Sequence, residues 1–296
     1  VMTAAAGRTY LNRFAVLAGE KIVIAANNDS VYQAAAEFAE AGAAVTLLDA
    51  RPATADDLAS AVLAKGVDLR PGTAPLQAHG AGGVTALDLA TIDGSGWCAA
   101  TTENCDLVLV SGGWSPVVNL LSHRGVRPVW DAANACFLPD ETSEPVVVAG
   151  SAAGVWNTDA CIASGEASGD RAVQALGRST ATARPPLKGG WITPIQPLYE
   201  VRVPDRKLKS FVDPQHDVTA DDVRLAHREG YVSVEHLKRY TTLGMATDQG
   251  KMGNIIGIAL MAEALGREIP EVGTTTFRPP YTPVSIGALR GRSVGS

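Results

Sequence analysis

Two short apolar runs on either side of an alanine-rich stretch constrain the fold of this chain more than any other feature. Residues 21–25 form a run with β-branched side chains, residues 31–42 have apolar side chains at helical spacing and end in a glycine, and residues 44–48 form a second run. A glycine at that position is typical of a helix C-cap. Strand, helix and strand within about 30 residues make a βαβ unit. The sequence therefore predicts an open parallel sheet of the dinucleotide-binding, Rossmann-like α/β class over residues 1–178.

Further apolar runs extend this sheet. Residues 106–111 and 145–150 are predicted strands, and residues 159–176 are compatible with a helix. Strands that are apolar on both faces are typical of parallel sheets covered by helices on either side. Residues 4–11 have the composition of a helix interior, and the chain starts with Val1. We therefore expect the sequence to be an internal segment of a longer protein.

Proline and glycine mark a change in the character of the chain. Residues 179–206 are rich in both and are predicted to form a linker. Residues 207–272 are predicted to form a helical module, because Thr219 and Asp222 have the spacing of a capping box and glycines end successive helical stretches. Residues 273–296 contain several prolines and are predicted to form an extended strap.

The composition excludes several function classes. The net charge is −6 and no cluster of Lys and Arg occurs, so the chain lacks the electrostatic footprint of a protein that binds nucleic acid or an anionic membrane. No apolar run reaches the roughly 18 residues of a membrane span. The four cysteines have no CxxC spacing, which predicts reduced thiols in a cytoplasmic protein. The five histidines do not fall at the spacing of metal ligands.

A polar turn follows the first predicted strand of the βαβ unit, where a dinucleotide-binding fold places its glycine-rich loop. It consists of Asn27, Asn28, Asp29 and Ser30. The glycines of a GxGxxG motif would align with Ala26, Asn28 and Val31, so all three are replaced. The helix dipole remains, and short polar side chains can donate hydrogen bonds to a pyrophosphate. We therefore predict that this turn contributes to an NAD site.

Two residues at the end of the second predicted strand fit the ribose end of the same nucleotide. Asp49 lies where an acidic residue binds the ribose hydroxyls of NAD, and Arg51 is placed to stack on adenine or to accept a 2′-phosphate. A structural alternative explains the same residues. The turn can be an ordinary helix N-cap, and Asp49 can be a solvent-exposed residue at a strand end. The residues alone leave both interpretations open.

Three distinctive stretches lie in the second half of the chain, at residues 211–219, 235–251 and 273–283. They resemble the alpha subunit of heterotetrameric sarcosine oxidase, in the module that precedes its folate-binding, aminomethyltransferase-like domain. The motifs at residues 27–30 and 48–51 are similar to the NAD-binding region of the same subunit. The resemblance covers essentially the whole chain.

The resemblance implies a flavoenzyme that oxidises sarcosine to glycine, with hydrogen peroxide and either formaldehyde or 5,10-methylenetetrahydrofolate as further products. It implies beta, gamma and delta partner subunits, an FAD and the amine substrate on the beta subunit, and an FMN shared between alpha and beta. This chain would then contain no catalytic residue and would be inactive when isolated. Its predicted contacts with the FMN are Thr241, Thr242, Gln249, Lys251 and Arg278. Solvated surface charges are the alternative interpretation of Lys251 and Arg278.

The helical module also resembles the small 2Fe–2S domains of related dehydrogenases, but without their cysteines. Asp213 and Gln215 stand at the first cysteine pair, and Asp248 and Gly253 stand at the second. Because no thiolate remains to hold iron, the sequence predicts no iron–sulfur cluster. Two other functions stay open. One is a nucleotide-binding scaffold without catalysis, and the other is the alpha subunit of an opine-type or proline-type amine dehydrogenase.

Overall fold

The computed structural model describes residues 1–93, 96–140, 146–179, 195–204, 206–277 and 281–290. The chain divides into two units. The first unit comprises Val1–Trp114, Ala133–Ala135 and Thr193–Leu208, and the second unit comprises Ser115–Ala132, Cys136–Ile192 and Lys209–Ser296. The domain boundaries that the sequence places after residues 178, 206 and 272 stay predictions.

A parallel sheet of five strands forms the centre of the first unit. Its strands, in spatial order, are β1 (Met2–Thr3), β8 (Leu107–Ser111), β2 (Lys21–Ala26), β3 (Ala44–Asp49) and β4 (Asp68–Pro71). Strand β2 pairs in parallel with both neighbours, so that Ile24 lies opposite Leu47 on one side and Leu109 on the other. All three side chains are fully buried, as expected for strands covered on both faces. The predicted Rossmann-like α/β sheet is therefore confirmed.

The described residues of the first unit form three α-helices, namely α1 (Ala4–Phe14), α2 (Tyr32–Glu40) and α3 (Asp56–Leu63). Phe38 of α2 is fully buried in the same apolar cluster as Leu47 and Leu109. Gly7 lets α1 approach this cluster closely, because a Cβ at this position would lie 3.1 Å from side-chain atoms of both Phe38 and Leu109. Close packing of helices on strands therefore stabilises the predicted βαβ unit.

Helix α1 corrects one expectation about the start of the chain. Residues 4–11 are helical as predicted, but the helix begins at Ala4. The Thr3 hydroxyl accepts a hydrogen bond from the Ala6 amide at 3.2 Å, and a threonine at this position is a start signal for a helix. These residues are therefore the first turns of a helix and not its interior.

An antiparallel meander, which was not among the elements predicted from the sequence, lies between β4 and β8 in the chain. Its strands are β5 (Thr73–His79), β6 (Ala86–Asp93) and β7 (Gly96–Asn104). Leu87 and Leu89 of β6 are buried in one apolar cluster with Val23 and Leu48 of the parallel sheet. The meander therefore helps to cover the sheet on the face to which Val23 and Leu48 point.

The second unit begins with α4 (Asn119–His123), the hairpin of β9 (Val129–Asp131) and β10 (Cys136–Leu138), and α5 (Thr158–Ala175). Helix α5 confirms the helix predicted over residues 159–176. The strand predicted over residues 145–150 is wrong, because residues 146–149 have no regular structure and Gly150 begins a 3-10 turn. Val146 and Val147 are about half exposed. A β-branched run forms a strand where a neighbouring strand buries it and pairs with it, and the described residues supply no such neighbour here.

The predicted helical module lies in the second unit. Its elements are the hairpin of β11 (Phe211–Asp213) and β12 (Val218–Thr219), and the helices α6 (Ala220–Arg228), α7 (Val234–Thr241), α8 (Asn254–Leu265) and α9 (Ile269–Val272). Thr219 and Asp222 form the predicted capping box at the start of α6. Leu237 of α7 and Met261 of α8 are fully buried in one apolar cluster. This cluster is the core of the module.

The two Pro-rich segments are partly described. Residues 195–204 of the predicted linker and residues 273–277 of the predicted strap have neither helix nor strand. A short helix, α10 (Ile286–Leu289), forms within the segment that was predicted to be extended throughout. The Ser285 hydroxyl accepts a hydrogen bond from the Ala288 amide at 3.2 Å and so caps this helix.

Candidate functional site

The turn at residues 27–30 lies at the point of the sheet where strand order reverses. Strand β2 has β3 on one side and β8 on the other, so a crevice opens between β2 and β8 at their carboxyl ends. Open α/β sheets bind ligands in such a crevice. Asn27 Nδ2 donates to the Gly112 carbonyl (3.2 Å), and Asn28 Nδ2 donates to the Ser111 carbonyl (3.0 Å), both across this crevice. The structure therefore brings the predicted turn to the position at which this fold class binds ligands.

Asn28 also stabilises the turn from inside. Its Oδ1 accepts hydrogen bonds from the Ser30 amide (3.1 Å) and from the Ser30 hydroxyl (2.5 Å). Asn28 is thereby the N-cap of a 3-10 turn, Asp29–Val31, that leads into α2. Asn27 and Asn28 are both buried. The N-cap interpretation is therefore confirmed for Asn28, and the asparagine side chains occupy space that glycines leave open in a GxGxxG loop.

A buried charge network connects the turn to the end of β3. The Arg51 guanidinium donates through Nη1 to Asp29 Oδ1 (2.6 Å), and through Nε and Nη2 to the Asp49 carboxylate (3.0 and 2.7 Å). The Tyr32 hydroxyl and the Arg51 amide also donate to Asp49, at 2.7 and 2.9 Å. Asp49 is fully buried, and Asp29 and Arg51 are 8% and 7% exposed. This Asp29–Arg51–Asp49 network holds the turn against the carboxyl end of β3.

Two groups at this network, Arg51 and the adjacent Tyr32, have pKa values above their ordinary ones. Burial lowers the pKa of Arg51, but the hydrogen bonds and negative charges of Asp49 and Asp29 outweigh it, so this pKa lies above its ordinary value. Burial, followed by the hydrogen bond to Asp49, raises the pKa of Tyr32. Arg51 therefore remains a cation and Tyr32 remains a hydroxyl donor over the physiological pH range.

Asp49 has a different environment from either one that the sequence suggested. The interpretation of Asp49 as a solvent-exposed residue at a strand end is wrong, because none of its surface is exposed. Its carboxylate already accepts from four donor groups, two on the Arg51 guanidinium, one on the Arg51 backbone and one on Tyr32. An ionised carboxylate has about four lone-pair positions. Asp49 therefore has no acceptor position left for ribose hydroxyls while Arg51 stays in place.

A surface depression of about 440 Å³ lies in the helical module. Its lining residues are Gln215, His216, Met245, Ala246, Thr247 and Gln249. Among the residues predicted to contact FMN, Gln249 lines this depression. Its backbone has a φ of +52°, in the left-handed region, and its Nε2 donates to the Ala246 carbonyl at 2.8 Å. The side-chain carbonyl of Gln249 remains an acceptor for a ligand.

The two threonines predicted to contact FMN are hydrogen-bonded within the module. Thr241 Oγ1 donates to the Leu237 carbonyl at 2.8 Å and accepts from the Leu243 amide at 3.2 Å. Thr242 Oγ1 donates to the Thr241 carbonyl at 2.6 Å. These hydroxyls stabilise the C-terminal end of α7, and neither residue lines the depression.

Lys251 fastens the strap to the module. Its Nζ donates to the Tyr281 carbonyl (2.9 Å) and to the Asp248 carbonyl (3.2 Å), and it lies 4.0 Å from the centroid of the Tyr281 ring. An ammonium group has three donors, so one is left for another acceptor. Arg278, the remaining predicted FMN contact, lies outside the described residues.

Asp213 connects the two loops that line the depression. Its Oδ1 accepts from the Gln215 amide and its Oδ2 from the Gly244 amide, each at 3.0 Å, and its side chain is buried. Two acceptors nearby in the sequence, Asp248 Oδ1 and Asn254 Oδ1, are buried without a hydrogen-bond partner among the described residues. Buried acceptors of this kind are normally satisfied by a ligand or an ordered water. The loop before α8 and the first residue of that helix therefore have acceptor capacity that the rest of the described chain does not use.

Metal chemistry finds no support in the described part of the chain. No group of three or more His, Cys, Asp or Glu side chains there is placed to hold a metal ion. None of Cys98, Cys105, Cys136 and Cys161 takes part in a disulfide among the described residues. The helices of the same residues include none with both the length and the apolarity needed to cross a membrane.

Sequence reasoning missed most of the lining of the depression. His216 Nδ1 lies 3.0 Å from the Thr242 carbonyl, and Thr247 Oγ1 donates to Gln215 Oε1 at 2.8 Å. In the predicted resemblance to iron–sulfur domains, Gln215 stands at a replaced cysteine, and His216 and Thr247 are each next to one. These positions were therefore the sequence signal that could have located this depression.

The comparisons with known proteins agree with the resemblance seen in the sequence. Residues 207–292 match the family model of the sarcosine oxidase A3 domain. The chain is 41% identical over 303 positions to the sarcosine oxidase subunit alpha of Rhizobium meliloti (strain 1021), and 37% identical over 304 positions to that of Corynebacterium sp. (strain P-1). The alignments cover 100% of this chain but only 29% and 31% of those subunits. The chain is therefore homologous, over its whole length, to a segment of these subunits.

A solved structure shares the fold. L-proline dehydrogenase from P. horikoshii superposes on this chain with a TM-score of 0.60, covering 96% of this chain and 52% of the other. The two sequences are 17% identical. At this identity the likeness shows a common fold and carries no information about the substrate.

Proposed function

We propose that this chain, homologous throughout to part of the sarcosine oxidase alpha subunit, belongs to a multi-subunit flavoenzyme that oxidises sarcosine. In this proposal the products are glycine, hydrogen peroxide and either formaldehyde or 5,10-methylenetetrahydrofolate. The first unit binds NAD, and the second unit contributes to an FMN site shared with a beta subunit. FAD and the amine substrate bind to that beta subunit, and gamma and delta subunits complete the assembly.

The observation that carries the nucleotide part of the proposal is the position of the turn at residues 27–30. It lies at the carboxyl end of β2, at the crevice where strand order reverses, and directly before α2. Asn27, Asn28 and Ser30 provide polar groups there, and the N-terminus of α2 provides a positive dipole end. These features fit a pyrophosphate. The side chains that stand in place of the glycines leave the pyrophosphate less room to approach the backbone.

The second unit supports the FMN part of the proposal. The depression in the helical module is lined mainly by polar side chains, and Asp248 and Asn254 each have a buried acceptor atom that lacks a partner among the described residues. A flavin ring and its ribityl chain carry N–H and O–H donors that such acceptors would bind. Gln249 would contact the group directly. Lys251 and Thr241 would hold the walls of the site, because their polar groups are bonded within the module.

Flavins and a nicotinamide nucleotide supply electron transfer when they are bound. The residues of this chain bind and position these groups, and none of them is assigned to proton transfer with the amine. Asp213 fixes the relative position of the two loops of the depression, because it accepts a hydrogen bond from each of them. The Asp29–Arg51–Asp49 network fixes the turn before α2 in the same way. Such rigid support is what precise positioning of a cofactor requires.

Gly112 gives a direct test of NAD binding in the crevice. A Cβ at Gly112 would have no atom within 4 Å, and the same holds for Gly82 in the meander. Gly112→Leu should therefore fold normally and block the crevice, while Gly82→Leu adds the same side chain elsewhere in the first unit. Calorimetric titration of the purified protein with NAD⁺ should show affinity at least about tenfold weaker for Gly112→Leu and unchanged for Gly82→Leu. Absence of NAD⁺ binding by the unmodified protein, or full affinity in Gly112→Leu, would contradict the proposal.

Gln249 gives the corresponding test for FMN. Gln249→Asn shortens the side chain and keeps a residue that tolerates the left-handed backbone conformation. The matched control is Gln174→Asn, at an exposed position of α5. The FMN content of the natural assembly, released by denaturation and measured by absorbance, should fall several-fold in Gln249→Asn alone. An FMN content equal to that of the control would count against this contact.

One observation favours a second candidate, a nucleotide-binding scaffold without catalysis. The side chains of the turn are bonded to one another and to the backbone of the crevice, and no glycine opens the loop. A nucleotide could then bind without bringing its nicotinamide to a flavin. Mixing the assembly with NADH in the absence of oxygen separates the two functions. Bleaching of the flavin absorbance would show a reductase, whereas tight NADH binding without bleaching would show a scaffold.

A further inference from the structure

Two residues of the predicted linker lie across the crevice beside the turn at residues 27–30. The Gln196 amide donates to the Asn27 carbonyl, directly after β2, at 3.3 Å. The Ile195 side chain packs on Gly113, after β8, where a Cβ would lie 3.2 Å from Ile195 Cδ1. Ile195 and Gln196 therefore connect the two chain segments that form the sides of the crevice.

Gly113 is suited to its contact with Ile195. Its φ of +130° lies in the region that favours glycine, and the lack of a side chain leaves room for Ile195. Ile195 is only 8% exposed, and its amide donates to the Ala133 carbonyl at 3.0 Å. All of these residues belong to the first unit. Burial of the Ile195 side chain removes apolar surface from water and so stabilises the linker in this position.

The same path is the one that a dinucleotide takes in this fold class. The ligand crosses from the turn after the first strand to the end of the neighbouring strand at which the strand order reverses. Ile195 and Gln196 lie between Asn27 and Gly113, at the two ends of this path. The crevice stays open beside Gly112, where a Cβ would have no atom within 4 Å. A dinucleotide that crosses the crevice therefore competes with Ile195 and Gln196 for the same place.

The linker is held weakly at the crevice and has a separate contact further along. The hydrogen bond from Gln196 to Asn27 is long, at 3.3 Å. The Tyr199 hydroxyl is buried without a hydrogen-bond partner among the described residues, which costs the free energy of its hydration. Arg206 Nη2 donates to Asp88 Oδ2 of the meander at 3.1 Å. Ile195 and Gln196 can therefore leave the crevice while Arg206 keeps the linker attached to the first unit.

We infer that Ile195 and Gln196 form a movable cover of the crevice, and that a nucleotide binds there only when this cover is displaced. The inference rests on the proposed binding of NAD at the turn. The cover lowers the apparent affinity for the nucleotide, because only the fraction of molecules with an open crevice binds it. A change that weakens the cover therefore strengthens nucleotide binding. If these residues were instead a fixed wall of the site, their truncation would weaken binding.

Ile195→Ala tests the inference because it removes most of the contact with Gly113 and leaves the backbone hydrogen bonds in place. The matched control is Leu63→Ala, which shortens a half-exposed apolar side chain at the end of α3. Helix α3 runs from the carboxyl end of β3 to the amino end of β4, so Leu63 lies at the opposite edge of the sheet. Calorimetric titration with NAD⁺ measures the affinity of the natural assembly after removal of any bound nucleotide. We expect Ile195→Ala to bind NAD⁺ at least about fivefold more tightly than the unmodified assembly, and the control to be unchanged.

Hydrogen exchange of the unmodified assembly adds a measurement that needs no variant. The amides of Ile195 and Gln196 both donate hydrogen bonds while the crevice is covered. A peptide that contains both amides should lose protection when NAD⁺ is added to saturation, because the displaced cover no longer makes these bonds. A fixed wall of the site would gain protection instead.

The results distinguish the inference from the proposed function. If NAD⁺ binds neither to the unmodified assembly nor to Ile195→Ala, the proposed NAD site is wrong and the inference falls with it. If NAD⁺ binds to the unmodified assembly and Ile195→Ala binds it no more tightly, nucleotide binding stands and the inference is overturned. The same conclusion follows if NAD⁺ binds and the peptide with Ile195 and Gln196 does not exchange faster.

Discussion

Arg51→Met should destabilise the first unit far more than the loss of an ordinary ion pair. Methionine retains much of the length of the arginine side chain but removes all five donors. Asp49 would keep its hydrogen bonds from Tyr32 and the backbone and would lose its cationic partner, although none of its surface is exposed to solvent. Asp29 would lose the same partner.

The size of the effect follows from burial. Removing one partner of a buried ion pair costs about 3–5 kcal/mol, because the remaining charge stays uncompensated in a region of low polarity. The pair of Lys65 and Glu40 provides the comparison, since its N–O distance is 2.6 Å but its side chains are 49% and 54% exposed. Exposed pairs contribute about 1 kcal/mol or less. Lys65→Met is therefore the matched control.

Hydrogen exchange followed by mass spectrometry measures the change locally, in peptides that cover β2 and β3. At about 1.4 kcal/mol for each factor of ten, the expected cost corresponds to exchange that is roughly 100-fold to several thousand-fold faster in Arg51→Met. The control should change by less than about tenfold. Adding Asp49→Asn to Arg51→Met should restore part of the lost stability, because the double variant no longer has a buried carboxylate charge at residue 49. If Arg51→Met exchanges no faster than the control, the network is not a stabilising element and the reasoning fails.

Three further predictions concern other parts of the molecule. Leu237→Ala should lower the free energy of unfolding of the helical module by about 2–5 kcal/mol, since this side chain is fully buried. Chemical denaturation measures this change, and it should show little change for the control Leu176→Ala, at an exposed position. Burial, followed by the charge of a neighbouring aspartate, raises the pKa of the Cys136 thiol to about 12, so alkylation near pH 8 should leave it unmodified in the native protein and modify it after unfolding. Hydrogen bonds, above all from Thr102, lower the pKa of Asp88 to about 2, so its contribution to stability should be present above about pH 4 and be lost as the pH falls towards 2. Thermal melting in that window should show this decline, and Asp88→Asn should flatten it.

The elements that the sequence predicted correctly have strong local signals. Strands β2 and β3 are short apolar runs, and the helix between them has apolar side chains at helical spacing. The capping box of Thr219 and Asp222 is a signal of four residues, and the structure forms it as predicted. Local hydrogen bonding and hydrophobic periodicity fix such elements wherever they are placed.

Two errors of the sequence-based prediction show what a local pattern of residues cannot reveal. The apolar run at residues 146–149 is as β-branched as a true strand, but no neighbouring strand among the described residues pairs with it. The meander of β5, β6 and β7 shows the opposite case. Its alternation at residues 86–90 was visible in the sequence, and Leu87 and Leu89 are buried where the meander meets the parallel sheet. Pairing between strands is a non-local property, so one run of residues cannot reveal it.

The sequence by itself determined the α/β class, the position of the turn at residues 27–30, the helices α5, α6, α7 and α8 of the second unit, and the resemblance to sarcosine oxidase alpha subunits. The tertiary structure decided what the charged residues do. Asp49 and Arg51 are two residues apart in the chain, and the sequence offered them as separate ligands of a nucleotide. Folding brings Asp29 against them, so that the three residues bind one another. Whether a charged group meets water, a ligand or another side chain depends on which distant segments surround it, and only the folded chain contains that information.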